Sequence, residues 1–142
     1  MPRVKAAAFT ALTLAAIGAA GTHAEDVVVV IVSPESPPIS KEQLVELYLG
    51  RSYDRTPIDQ LASSAIYGQF YKTATGRDLG QVKAIWSRIL FTGRGLPPKQ
   101  MPNSAAVKKA VAADPKAVGY IEKSAVDATV KVAFPLTAAP LL

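Results

Sequence analysis

The stretch Asp59-Gln60-Leu61-Ala62-Ser63-Ser64 sets two adjacent hydroxyls at the head of an apolar-periodic segment. Two kinds of chemistry fit that place. A serine there closes a helix start by accepting a bond from a first-turn N–H. The same start, with unpaired N–H groups and the positive end of the helix dipole, also accepts an oxyanion. Thr92-Gly93-Arg94-Gly95 is a second candidate. Its glycines let backbone N–H groups and the Arg94 guanidinium face an anion, or it is a tight turn with a solvated arginine. Arg51 and Arg55, spaced around Tyr53, are either a third cationic site or a solvated loop.

Catalysis finds less to work with. The only histidine is His23, in a segment expected to be removed, and there is no cysteine. Triads built on imidazole or thiol, and zinc sites built on His or Cys, therefore have no ligands in the mature chain. Disulfides are absent too, so stability rests on a packed core. Glu42 and Glu46 share a helix face beside Lys41 and read as solvated surface. Asp54 and Asp59 share a loop, but no acid–base partner can be named for them. No run of regularly spaced acids marks a calcium loop. The expectation is a non-enzyme without metal or cofactor. Trp86, Tyr67, Tyr71 and Tyr120 are expected to pack rather than to stack on a sugar.

The start of the chain reads as a processing segment. Arg3 and Lys5 precede the apolar run Phe9 to Ala20, and Thr22-His23-Ala24 fits a small-x-Ala cleavage site. The run is shorter than the ~20 apolar residues of a spanning helix. Residues 1–24 are therefore expected to be a cleaved secretory signal, and 25–142 one domain with its core over about 27–134. With Arg3 and Lys5 gone, 14 basic residues face 11 acidic ones, a net charge near +3. That suits anionic ligands without the dense basic stripe of a nucleic-acid binder. The expected location is periplasmic, with no stable membrane insertion after cleavage.

These residues need elements to hold them. Asp26 to Val32 is a continuous β-branched run, apolar on both faces, and predicts a strand covered on both sides. Ser40 and Gln43 form a capping box for a helix with Leu44, Leu47 and Tyr48 inward, ended at Gly50. Pro57 excludes helix between Arg51 and Gln60, leaving loop and a short strand. Ser63 or Ser64 opens a second helix to about Thr73, facing inward with Ile66, Phe70 and Tyr67. Asp78 opens a third from Leu79 to Leu90, with Leu79, Val82, Trp86 and Ile89 inward and Lys83 and Arg88 in solvent. Ser104 opens a fourth through about Ala113, stopped by Pro115. Val118 to Ile121 and Val130 to Phe134 predict short strands, and Pro135 to Leu142 a loose tail. Helices interleaved with buried strands argue an α/β class.

Three blocks, in order, resemble one lobe of the phosphate-binding proteins that feed ABC importers. They are Ile39-Ser40-Lys41-Glu42-Gln43-Leu44-Val45-Glu46-Leu47-Tyr48-Leu49-Gly50-Arg51, Trp86-Ser87-Arg88-Ile89-Leu90-Phe91-Thr92-Gly93-Arg94-Gly95, and Ala117-Val118-Gly119-Tyr120-Ile121. The resemblance spans roughly Val27 to Phe134. It implies one lobe of a type II periplasmic binding protein: a three-layer α/β sandwich, a small mixed sheet flanked by helices. In that family the place equivalent to 59–64 holds an Arg-x-Asp-Gly-Ser-Gly-Thr-like loop that grips the anion. Ser63 and Ser64 match its hydroxyls, and Asp59 matches its acid, which in the family accepts a proton from bound phosphate. The loop's Arg and both glycines are absent here. The resemblance thus implies an exported solute-binding-protein-like single domain, with weak oxyanion binding or an accessory role. The anion site would use Ser63, Ser64, Asp59 and Arg94. The alternative is a ligand-free interaction or sensing module of the cell envelope. Expected partners are phosphate or another small oxyanion, an envelope protein, or a second copy, and no nucleic acid.

Overall fold

Val28–Val32 forms the first strand, β1, in a computed structural model that describes residues 27–137. All five of its side chains are buried, as the unbroken β-branched run predicts for a strand covered on both faces. The remaining elements are α1 (Lys41–Tyr48), β2 (Thr56–Gln60), α2 (Ala65–Thr75), α3 (Leu79–Phe91), β3 (Lys99–Met101), α4 (Ser104–Ala112), β4 (Ala117–Glu122) and β5 (Lys131–Leu136). A 3-10 turn over Lys123–Ala125 links β4 to β5. The strands form one mixed sheet in the order β3-β2-β4-β1-β5. β2 runs parallel to β3 and β4, whereas β1 runs antiparallel to β4 and β5.

The period-two alternation of the strands sorts the core into two layers. Val28, Val30 and Val32 face α1, α2 and α3 with Leu44, Tyr48, Phe70, Tyr71 and Trp86. Val29 and Ile31 face α4, with Ile58, Val107, Val111 and Ile121. The result is the expected three-layer α/β sandwich with a mixed sheet between helices. Gly119 on β4 sets the spacing to α4, since a Cβ there would lie 2.7 Å from Val107 Cγ1 and 2.9 Å from Val111 Cγ2.

The capping signals at α1 and α3 hold. Ser40 and Gln43 bond reciprocally at 3.1 and 2.9 Å, and Asp78 and Gln81 do the same at 2.9 and 3.1 Å. Gly50, just beyond α1, has φ +73°, the left-handed geometry that favours glycine at a helix end.

Several expectations are corrected. Leu79, placed on the packed face of α3, is 43% exposed, because it is the first residue of the helix and overhangs the core. The tail is not loose from Pro135: Pro135 and Leu136 belong to β5 and pair opposite Val29 and Val28. Proline is tolerated there because β5 is an edge strand. α2 runs two residues further than expected and adds Tyr71 to its buried face. The cap of α4 is Asn103, whose side chain accepts from the Ala106 N–H at 2.9 Å, rather than Ser104. β3 has no counterpart in the sequence reading. The expected signal segment, residues 1–24, lies outside the described residues. Among the described residues, no helix is long and apolar enough to cross a membrane.

Candidate functional site

β2 and β4 run parallel and end together, at Gln60 and Glu122, so their carboxyl ends share one edge of the sheet. The chain leaves β2 for α2 on one face. It returns from β3 through α4 on the other face. The crevice between two such helix starts, outside the carboxyl ends of parallel strands, is where open α/β sheets place ligands.

Alternation within β2 sends its last two side chains to opposite layers. Asp59 points to the α2 side and is 2% exposed. Its Oδ2 accepts from the Tyr71 hydroxyl at 2.6 Å, and its Oδ1 accepts from the Tyr120 hydroxyl and from the Gln60 N–H at 3.1 Å. Burial raises the Asp59 carboxyl to about 6, although the bonds from Tyr120, Tyr71 and Gln60 pull it down. The same burial, with Asp59 beside them, raises both tyrosine hydroxyls well above their ordinary value. Tyr48 donates to the Ile58 carbonyl at 2.7 Å, and Phe70 stacks on Tyr120 with ring centres 3.8 Å apart.

Gln60 points to the α4 side. Its Nε2 donates to Ser104 Oγ at 2.9 Å and to the Tyr120 carbonyl at 3.1 Å. Ser104 Oγ in turn donates to Glu122 Oε2 at 2.5 Å. The sequence reading did not find this chain. Its signal is the pattern Ile58-Asp59-Gln60, a strand ending on two polar residues of opposite facing.

The start of α2 differs from the other helix starts. Ser64 has the extended backbone of an N-cap, yet no side chain caps the first turn. Its hydroxyl turns back instead and donates to the Leu61 carbonyl at 2.6 Å. Ser63 is exposed. The first-turn N–H groups therefore carry no side-chain partner, and two hydroxyls stand beside them.

Of the four residues expected to hold an anion, the structure groups three at this edge: Asp59 at the end of β2, and Ser63 and Ser64 at the head of α2. Asp59 is not a loop acid open to solvent, since its oxygens are taken by Tyr71, Tyr120 and Gln60. Arg94 lies beyond the far end of α3, exposed. No hydrogen bond or ion pair joins its guanidinium to the other three among the described residues. The Arg51 and Arg55 pair divides. Arg51 meets Glu46 at 3.5 Å in solvent, and Arg55 ties the loop 36–38 by bonds to Ser36 Oγ and the Pro38 carbonyl. Trp86, 7% exposed, donates its indole N–H to the Tyr48 carbonyl at 3.1 Å. Tyr71 and Tyr120 are fully buried and Tyr67 is half-buried, so these rings pack as expected. A groove of about 430 Å³ runs from Asp59 and Ala62 along Tyr67, Val82 and Trp86 to Leu90.

This architecture matches solved phosphate receptors. An ABC-type phosphate transport receptor from Vibrio cholerae aligns with a TM-score of 0.59 at 19% identity, over 75% of this chain and 45% of that one. A protein assigned as a phosphate ABC transporter substrate-binding protein, with bound phosphate, from Clostridium perfringens aligns with a TM-score of 0.60 at 17% identity, over 75% and 44%. The chain spans less than half the length of these neighbours, and its fold is that of a single lobe of such a protein. No protein-family model and no curated protein matches the sequence.

Proposed function

We propose that this chain is an exported solute-binding-protein-like single domain, related to the phosphate-binding components of ABC importers. It holds phosphate or another small oxyanion weakly and serves as a binding or accessory module rather than a catalyst. The observation that carries this reading is the head of α2. It is uncapped by any side chain, flanked by Ser63 and Ser64, and set at the carboxyl edge of β2 in a fold shared with phosphate receptors. The first-turn N–H groups and the two hydroxyls are the donors. Asp59, just behind, disfavours a fully ionised ligand once its own carboxyl ionises. A protonated phosphate is therefore preferred over sulfate, and binding weakens as the pH rises through about 6.

Magnitudes set the affinity. Micromolar binding needs about 8 kcal/mol. A helix start contributes about 0.3–1 kcal/mol, and a charge-assisted hydrogen bond roughly 1.5–3 kcal/mol. One open lobe leaves water competing for each of these, so the expected dissociation constant is millimolar or weaker. NMR titration with phosphate and sulfate at constant ionic strength tests this. Saturable shifts clustered on residues 62–66 that vanish in Ser63→Ala/Ser64→Ala support the reading. Their absence, or shifts centred on Arg94, defeats it.

A second reading has its own observation. Both Asp59 oxygens are already engaged inside the protein, which suits a lobe that binds no ligand and works as an interaction or sensing module of the envelope. A flat titration with a retained fold selects it, with an envelope protein or a second copy as partner.

A further inference from the structure

Four of the seven large apolar side chains exposed among the described residues gather at the end of α3. Phe91 is 93% exposed and Leu96 79%, with Leu90 at 47% and Tyr53 at 57%. Phe91 and Leu96 flank the turn Thr92-Gly93-Arg94-Gly95, in which Gly93 has φ +68°. Tyr53 reaches the same turn from the loop after α1, because a Cβ on Gly95 would collide with its hydroxyl. Phe91 is the most exposed of them, whereas Leu90 ends the groove that starts at Asp59, and Tyr53 and Leu96 border a shallow hollow of about 280 Å³.

The surroundings are mainly cationic, with one exposed acid, Asp54, next to Tyr53. Lys83, Arg88, Arg94 and Lys99 are exposed. None of their charged groups meets an acid or a hydrogen-bond acceptor among the described residues. The chain carries no Asp or Glu between Asp78 and Asp114. Unpaired cations around protruding apolar groups fit a surface that is both anionic and deformable. A bilayer interface accepts a protruding ring without a matching cavity, and anionic headgroups draw nearby Lys and Arg. Tyrosine favours the same interfacial depth. A protein partner would have to offer a pocket for Phe91 and carboxylates around it.

We propose that this tip (Tyr53, Leu90, Phe91 and Leu96, ringed by Lys83, Arg88, Arg94 and Lys99) docks the protein peripherally on an anionic lipid surface. No segment spans the bilayer in this arrangement. The sheet edge carrying Ser63 and Ser64 takes no part in it, so the proposal stands apart from the oxyanion reading.

Vesicle flotation of the full chain tests it, with phosphatidylcholine alone against phosphatidylcholine mixed with phosphatidylglycerol, at low and high salt. The expected result is partition onto the mixed vesicles that falls at high salt. Each cation near an anionic surface contributes roughly fivefold, so Arg94→Glu/Lys99→Glu should lower partition roughly 25-fold or more. Phe91→Ser/Leu96→Ser should lower it by about tenfold or more on the same vesicles. All four positions are exposed, so unchanged urea midpoints are expected, and Phe91→Ser alone is read if a double variant melts early. Leu12→Asp/Leu14→Asp is carried in every arm, so that attachment through the apolar run Phe9 to Ala20 does not mask these ratios. Equal binding to phosphatidylcholine alone, no binding at all, or indifference to both doubles overturns the proposal. A drop in molecular mass on Phe91→Ser/Leu96→Ser also overturns it, because it would show a second copy covering the tip.

Discussion

On one side, the sheet meets Tyr48, Phe70, Tyr71 and Trp86 from three helices; on the other, it meets Val107 and Val111 from one. The first layer is aromatic and carries hydroxyls, so it must hydrogen-bond internally as well as pack. It does so around Asp59 and the carbonyls of Tyr48, Ile58 and Val118. The second layer is aliphatic and gains its contact from a missing side chain, at Gly119. Large rings on one face make room for a buried carboxylate and a groove, whereas small residues on the other close the gap to a single helix. The buried carboxylate of Asp59, the groove beside it and the uncapped head of α2 therefore gather on the aromatic side.

Four measurements probe that difference. Trp86→Ala should have the largest effect, about 3–5 kcal/mol in urea melts, as for other large core truncations. A loss under about 1 kcal/mol would show that the aromatic layer does not depend on its indole. Next is pH. The Asp59 carboxyl is raised from 3.8 to about 6 in the folded protein, so the folded state holds that proton more tightly than the unfolded chain. Its stabilising contribution is full below about pH 4 and is lost as pH rises through about 6. The change is roughly 3 kcal/mol. The difference in unfolding free energy between the protein and Asp59→Asn should fall across that window. A flat difference would mean that the carboxylate is well solvated after all.

Gly119→Ala tests the aliphatic side. The added methyl would press on Val107 and Val111, and the expected loss is about 1–3 kcal/mol. Neutral behaviour would show that α4 sits more loosely than the spacing implies. The smallest effects compare two helix starts on the aromatic side. Asp78→Ala removes a bonded cap and should cost about 1 kcal/mol. Ser64→Ala removes no cap bond and should stay within about 0.5 kcal/mol. Equal losses in thermal melts would show that Ser64 caps α2 in solution.

What could be read in the sequence follows the range of the interactions involved. β1, α1 and α3 were legible because their signals are local: a β-branched run, the Ser40–Gln43 box, the Asp78 cap, and glycines at the ends. β3 was not, because Lys99-Gln100-Met101 is too short and polar to announce itself and becomes a strand only by pairing with β2. The extension of β5 through Pro135 likewise depends on β1 lying beside it. At the site, the positions of Ser63 and Ser64 at a helix head were legible. The burial of Asp59 was not, because it requires Tyr71 and Tyr120, 12 and 61 residues away, to arrive on the same face. The lack of a cap bond at Ser64 was equally hidden, since the residue type alone favours one.

The placement of β1 also governs when the molecule can form. Val30 is paired on one side with Tyr120 and on the other with Phe134, so the most apolar strand, made first, has both its neighbours made last. Contacts of such long sequence separation close slowly. No stable sheet can assemble around β1 while the ribosome is still supplying β4 and β5. A growing chain is thus held open by its own topology. The consequence is a sheet that closes late, after nearly all of its residues have left the ribosome.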